Sequence, residues 1–287
     1  MNKKCTAWLS QGIETLIAEK NANTPRPGDV DFDVVIIGSG YGGSIAAAFL
    51  ANQGNAEGKR LRVCVLERGR EYLPGMFPSS LSTLAGHARI TTPWSHRVQG
   101  NREGLFDIRL NKDINALVAN GLGGGSLINA GVMETPHPNV FDRRWPSQMR
   151  SLDELEKYYE SARQKLGAQR EGVPNTIQCH PEHRKNPLAK HSSLSALCKG
   201  SKEGKFRDAT ITVAMSDQAN NSQVQMSQCT LCGDCATGCN FGAKDSLDLN
   251  MLVEAKRGNA SLYTGATVLG VIQTDEHDGW AVDLVHT

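Results

Sequence analysis

The first readable pattern is a short apolar run followed by a glycine-rich turn. Val34 to Ile37 is four consecutive β-branched residues, the signature of a strand buried on both faces of a parallel sheet. Gly38 to Gly43 predicts a turn. Ser44 to Asn52 is Ala-rich and predicts a helix, which Gly54 stops. A charged loop over 55–60 leads to a second predicted strand, Leu61 to Leu66, ending in Glu67-Arg68-Gly69. Strand, turn, helix and strand make one βαβ unit. Upstream, Trp8, Leu9, Ile13, Leu16 and Ile17 recur at helical spacing and predict a surface helix, followed by a polar, Pro-rich lead-in over 21–30.

The remainder is less regular. Pro74, Pro78 and Pro93 with scattered glycines predict extended loops over 70–116. Residues 117–132 carry a second glycine cluster. Ser151-Leu-Asp-Glu154 reads as a capping box, with Leu152, Leu155, Tyr159, Ala162 and Leu166 following at helical spacing. Residues 170–228 alternate polar loops with short apolar pieces. A helix is expected around Ser246–Ala255. Thr267–Gln273 and Trp280–Val285 read as two strands joined in a hairpin by Thr274–Gly279.

Charge and composition remove several function classes. The 287 residues carry 31 basic and 30 acidic side chains, a net +1, so no basic field suggests nucleic acid. No apolar run reaches the ~18–20 residues of a membrane helix. Glu14 and Glu19 interrupt the N-terminal apolar positions, so these do not form a secretory leader, and a reducing, cytoplasmic setting is expected. Of eight cysteines, Cys5, Cys64, Cys179 and Cys198 are scattered and read as ordinary thiols, Cys64 within a strand. Cys229, Cys232, Cys235 and Cys239 lie close together. In a reducing compartment such clustering favours metal or cluster ligation over disulfides.

Gly38-Ser-Gly40-Tyr-Gly-Gly43 fits the G-x-G-x-x-G fingerprint of a dinucleotide site in its required context, between a strand and a helix. Gly38 permits the tight turn, Gly40 lets backbone approach a pyrophosphate, and Gly43 lets the helix pack on the strand. The helix N-terminus offers N–H groups and partial positive charge to phosphates. Glu67 is placed to accept a hydrogen bond from an adenosine ribose hydroxyl. These features do not choose between FAD and NAD.

Asn120-Gly-Leu-Gly-Gly-Gly-Ser126-Leu-Ile-Asn129 is a loop able to take left-handed conformations and to let a planar or phosphorylated ligand touch backbone. VVIIGSGYGGSIAAAFLA and VLERG, paired in this order with NGLGGGSLINAGV, resemble the glucose–methanol–choline (GMC) oxidoreductases, closest to their cholesterol-oxidase-like branch. The resemblance runs from about residue 31 to the end of the chain. It implies an α/β fold: a glutathione-reductase-type, Rossmann-like FAD domain with an inserted α+β substrate and Cys-rich segment. On that reading residues 1–30 are an N-terminal helix and lead-in, 31–150 the first part of the FAD domain, 151–245 the inserted segment and 246–287 the return to the FAD domain.

The resemblance implies that Gly38, Gly40, Tyr41, Gly43 and Glu67 hold the ADP part of FAD. Asn120, Gly121, Gly124, Gly125, Ser126 and Asn129 would run beside the pyrophosphate and isoalloxazine, and Val268 would touch the adenine end. It also implies hydride transfer from a CH–OH group, of a sterol or other bulky hydrophobic alcohol, to flavin N5, with oxygen or another acceptor taking the electrons. Family members are longer, and their catalytic His and its His/Asn partner lie beyond the point where this chain stops. His277 and His286 are poorly placed to replace them, so the chain reads as the N-terminal part of such an enzyme and an incomplete catalyst.

Cys229-x₂-Cys232-x₂-Cys235-x₃-Cys239 has the spacing of a ferredoxin run, with Asn240 where the pattern has Pro. A [4Fe–4S] cluster, a zinc ion and plain free thiols all suit the spacing. A flavin-and-cluster electron-transfer module and a truncated FAD binder without turnover remain the alternatives to an alcohol oxidoreductase.

Overall fold

The computed structural model describes residues 7–22, 30–142, 144–150, 152–168, 189–201, 204–274 and 279–287. Cys5, Ser151, Cys179 and His277 lie outside them, as does most of the 21–30 lead-in.

In chain order the first elements are β1 (Gln11–Gly12), α1 (Ile13–Ala22), β2 (Val34–Ile37), α2 (Tyr41–Leu50) and β3 (Val63–Leu66). Next come α3 (Leu81–Leu84), β4 (Ala88–Thr92), β5 (Ser95–Gly100), β6 (Phe106–Arg109) and β7 (Ala116–Ala119). The chain continues with α4 (Leu152–Lys165), α5 (Ala189–Gly200), β8 (Gln218–Ala219), β9 (Gln225–Met226) and α6 (Met251–Arg257), and finishes in β10 (Ser261–Thr264), β11 (Ala266–Thr274) and β12 (Gly279–His286).

The central sheet is parallel and runs β1-β10-β3-β2. β3 is buried along its whole length, as a central parallel strand should be. On one face Ala47 of α2, Ala51 at its C-cap and Leu252 and Ala255 of α6 pack against Val63, Val65 and Leu262. On the other, Ile13 packs with Cys64, Leu66, Tyr263 and Ala266. The expected βαβ unit is therefore present, in a Rossmann-like α/β fold.

Five expectations need correction. β2 is not buried on both faces: it ends the described sheet, and Val35 and Ile37 are exposed. The 70–116 stretch is not a set of loops: it contains the sheet β5-β4-β6-β7, whose polar strands hide the period-two signal. The N-terminal helix starts only at Ile13, because the Glu71 carboxylate accepts from Leu9 N, Ser10 N and Ser10 Oγ and draws that segment out into β1. Helix α2 runs Tyr41–Leu50 rather than Ser44–Asn52: glycines are tolerated in a first turn, whose N–H groups have no intrahelical partner anyway. The 246–255 helix is broken. A 3₁₀ turn at Leu247–Leu249 precedes α6, and Asn250 between them turns out of helical geometry and accepts from Met251 N.

The β11–β12 hairpin forms as expected, with a bulge between Val268 and Gly270. At its end His286 pairs with Ala266 inside the ladder. Cys64 lies in the β3 core as expected, and burial pushes its thiol up to about 12.

Candidate functional site

The two glycine loops meet at the C-terminal end of the parallel sheet. The chain leaves β2 through Gly38 at φ +91°, a region an L side chain rarely enters. Gly40 is the N-cap of α2 and supplies no side chain to satisfy the first N–H groups. That end of the helix thus keeps the donors and partial positive charge that suit an anion. A Cβ at Gly43 would stand 2.0 Å from Gly38 O, so glycine there lets the helix start tuck onto the strand. At Gly40 a Cβ would meet nothing within 4 Å.

After β7, the second loop turns through Gly123 and Gly124 into the 3₁₀ turn Gly124–Leu127. A Cβ at Gly124 would stand 2.7 Å from Gly40 Cα, so the loops touch backbone to backbone. Gly125, next in the chain, is exposed, and nothing lies within 4 Å of where its Cβ would be. Gly121 pairs with Arg70, and Leu122 N donates to Arg70 O, which ties this loop to the segment after β3.

Ser39, which the fingerprint treats as a free position, links everything here. Its N and Oγ donate to Glu67 Oε2 at 3.0 and 2.6 Å, and its Oγ accepts from Gly123 N at 3.0 Å. Glu67 Oε1 accepts from Gly69 N at 2.9 Å. Glu67 is therefore buried and already bonded to protein. Each carboxylate oxygen can accept two bonds, so Oε1 retains capacity for a further donor.

Asn129 Nδ2 donates to Tyr41 Oη at 2.7 Å, joining the far end of the second loop to the first turn of α2. Burial raises the Tyr41 phenol above its ordinary value, against the opposing bond from Asn129. Asn120 and Ser126 turn inward. Asn120 accepts from Arg68 Nε and donates to Gly104 O, and Ser126 Oγ donates to Gly123 O and accepts from Leu247 N. Their side chains hold the loop's shape. Val268 packs on the Cys64–Leu66 cluster, two residues beyond Ala266, whose N donates to Glu67 O.

A charged network stands beside the loop. Asp107 is fully buried and contacts Arg68, Arg89 and Arg109 at 2.7 to 2.9 Å. Burial alone would raise its carboxyl, but the Arg109 bond and the charges of Arg68 and Arg89 hold it below the usual value. Behind Gly123 lies Asp248. Its Oδ1 is buried without a partner, and burial pushes the carboxyl up to about 7 against the Ser246 hydroxyl bond.

The four clustered cysteines surround one cavity of about 260 Å³, with Ile211, Val213 and Phe241 also in its wall. They do not converge on a point: among the described residues no three His, Cys, Asp or Glu side chains are placed to hold a single metal ion. Lys244, also on that wall, is 2% exposed and donates through Nζ to Leu127 O, Asn129 O and Cys235 O at 2.7 to 2.9 Å. Burial lowers its ammonium, and the nearby thiols and Asp248 oppose that. One lysine thus fastens the cysteine segment to the second glycine loop.

A strand-to-helix glycine turn at the end of a parallel sheet, with an acid closing the next strand, defines a dinucleotide-binding α/β protein. Residues 32–285 match the GMC oxidoreductase family model, and the chain belongs to the GMC oxidoreductase family. A cholesterol oxidase of Acinetobacter baumannii is 27% identical over 264 residues, 88% of this chain and 44% of that protein. A long-chain-alcohol oxidase of Arabidopsis thaliana is 27% identical over 248 residues, 86% of this chain and 27% of that protein. Among solved structures, a variant of Aspergillus oryzae formate oxidase aligns over 89% of this chain and 42% of its own at 16% identity, with a TM-score of 0.49. The chain spans less than half the length of each of these proteins.

Proposed function

We propose that this chain binds FAD across the two glycine loops and forms the cofactor-binding part of an oxidoreductase acting on the CH–OH group of a bulky apolar alcohol. The observation that carries the reading is the backbone contact of Gly124 with Gly40, with open space where side chains would stand at Gly40 and Gly125. Backbone is exposed there to a ligand with a long phosphate bridge, at an uncapped helix N-terminus. Gly38, Gly40 and Tyr41 would face the pyrophosphate, with Gly43 letting the helix start sit close to it, and Oε1 of Glu67 would face the adenosine ribose. Gly121, Gly124, Gly125 and Asn129 would run towards the flavin ring. Asn120 and Ser126 fix that loop from behind, and Val268 backs the adenine end.

FAD, when bound, supplies a hydride acceptor. The chain's part is to hold the two loops in register through Ser39 and Lys244 and to fix the Asn129–Tyr41 pair beside the open backbone. The apolar alcohol is inferred from the substrates named for the cholesterol oxidase and long-chain-alcohol oxidase relatives, and oxygen as acceptor from their being oxidases. An NAD-dependent dehydrogenase would leave the Gly123–Gly125 loop without a role.

The test is a fluorescence titration of the flavin-free chain with FAD and with NAD, followed by anaerobic addition of cholesterol or a long-chain alcohol. Saturable quenching with FAD alone supports the site, and bleaching of the flavin bands by alcohol supports turnover. Binding of NAD in place of FAD would overturn the assignment. Flavin retained but never reduced by alcohol would assign binding without catalysis.

A further inference from the structure

The flavin reading leaves the cysteine run without a task, and the geometry there is specific. Cys229, Cys232, Cys235 and Cys239 all border one cavity of about 260 Å³, although they come from an irregular segment with only one short 3₁₀ turn, Asp234–Thr237. A zinc ion bound at about 2.3 Å needs its four sulfurs drawn in close around one point. No such convergence exists among the described residues. A cubane cluster needs a different arrangement, with thiolates outside a larger body and each reaching a different iron. Four thiols bordering one cavity offer ligands of that kind.

Three further features point to a ligand of that chemistry. The first is charge. A four-thiolate iron–sulfur cluster is anionic, and the ammonium of Lys244 is buried on this wall, its Nζ already bonded to Cys235 O. The second is hydrogen bonding to sulfur. Leu231 N donates to Cys229 Sγ and Ala243 N to Cys239 Sγ, both at 3.3 Å. Such bonds tune cluster potential. The third is an orphan: Thr230 Oγ1, on the same wall, is buried without a partner. A cluster sulfide would accept its proton.

We propose that these four cysteines bind a [4Fe–4S] cluster. Its position follows from Lys244, which bonds both the cysteine segment and the carbonyls of Leu127 and Asn129, so the cluster lies against the loop assigned to the flavin. In two-cluster ferredoxins the fourth Cys of such a run serves a second cluster; this sequence has no second run, so all four thiols are assigned to one cluster.

The experiment is anaerobic reconstitution of the full chain with ferric iron, sulfide and dithiothreitol, the dithiol reducing half of the iron. Iron and acid-labile sulfide are then assayed, and low-temperature EPR is recorded after dithionite. The expected result is about four iron and four sulfide per chain, with a broad brown absorption and a reduced-cluster EPR signal. Cys235→Ser and Cys239→Ser should each lose most of the iron while Cys198→Ser keeps it. Flavin is measured separately, after acid extraction, so a failed flavin site and a failed cluster site are told apart. Wild-type stoichiometry and EPR need no variant, so misfolding of a serine mutant leaves the test intact. Iron well below one per chain, equal iron in a variant lacking all four thiols, or uptake of a single zinc instead would each overturn the proposal.

Discussion

Two glycines three residues apart in the fingerprint should fail in opposite ways when substituted. At Gly43 an added methyl would sit 2.0 Å from Gly38 O, whereas ordinary contact begins near 3.4 Å, so strand end and helix start must part by more than an ångström. Overpacking of that kind costs about 1–3 kcal/mol. For a domain of this size each kcal/mol lowers Tm by about 2–4 °C, so Gly43→Ala should melt several degrees early. At Gly40 the methyl meets nothing within 4 Å, and φ −68° with ψ −170° is extended backbone that valine accepts. Gly40→Val then gives up only its preference as an N-cap, about 1 kcal/mol or less. Its two methyls would fill the space assigned to the pyrophosphate, and FAD affinity should fall by about 100-fold or more, equivalent to about 2.7 kcal/mol. The assays are thermal unfolding of both flavin-free variants and FAD titration of Gly40→Val. A folded Gly40→Val that binds FAD like the wild type would refute the site, and a Gly43→Ala of unchanged Tm would refute the packing argument.

Asp248, with a folded-state pKa of about 7 against an ordinary 3.8, keeps its proton in the native state through that window. The native state then binds more protons than the unfolded one, so stability should fall as pH rises from about 4 to about 7. Asp248→Asn should flatten that part of a urea-unfolding series, and an unaltered slope would show that another group is responsible. Lys244→Met leaves one buried and two half-buried carbonyls without their donor and should lower stability by about 2–5 kcal/mol, read by denaturant midpoint. A midpoint equal to wild type would mean that those bonds contribute nothing net. Asn240→Ala removes the acceptor of Gly75 N and Phe77 N and the donor to Phe77 O, and should cost about 1–3 kcal/mol. Unchanged resistance of the 75–77 loop to proteolysis in that variant would count against the clamp.

The legible parts of this chain are those whose physics is local. A β-branched run, a glycine turn and an Ala-rich stretch specify strand, turn and helix by steric preference alone, and β2, α2 and β3 appear where that reading puts them, within three residues at each end. Long-range partners leave no such trace. Ser39 occupies a position that the fingerprint leaves free, yet it is the point where both loops and Glu67 are bonded together. The β1 strand exists because a carboxylate 61 residues away captures Ser10. The β5-β4-β6-β7 sheet hides behind arginines and threonines because Asp107 gives two of its arginines, Arg89 and Arg109, a buried counter-charge. Hydrophobic patterning cannot register a strand whose stability is partly ionic.

Asn240 shows how such partners change the weight of a motif. Read as a sequence, Asn in place of the ferredoxin proline weakens the cysteine run as a cluster signature. In the fold, its side chain bonds the backbone of Gly75 and Phe77 on both sides, and the Phe77 ring fills the space that a side chain at position 238 would need. Proline has no side-chain amide and could not make those bonds. The substitution thus answers to the segment's docking against the 75–77 loop. It leaves the spacing of the four thiols untouched. What bears on the cluster is the wall those thiols share with Lys244 and Thr230, and that wall is built from residues the spacing pattern never mentions.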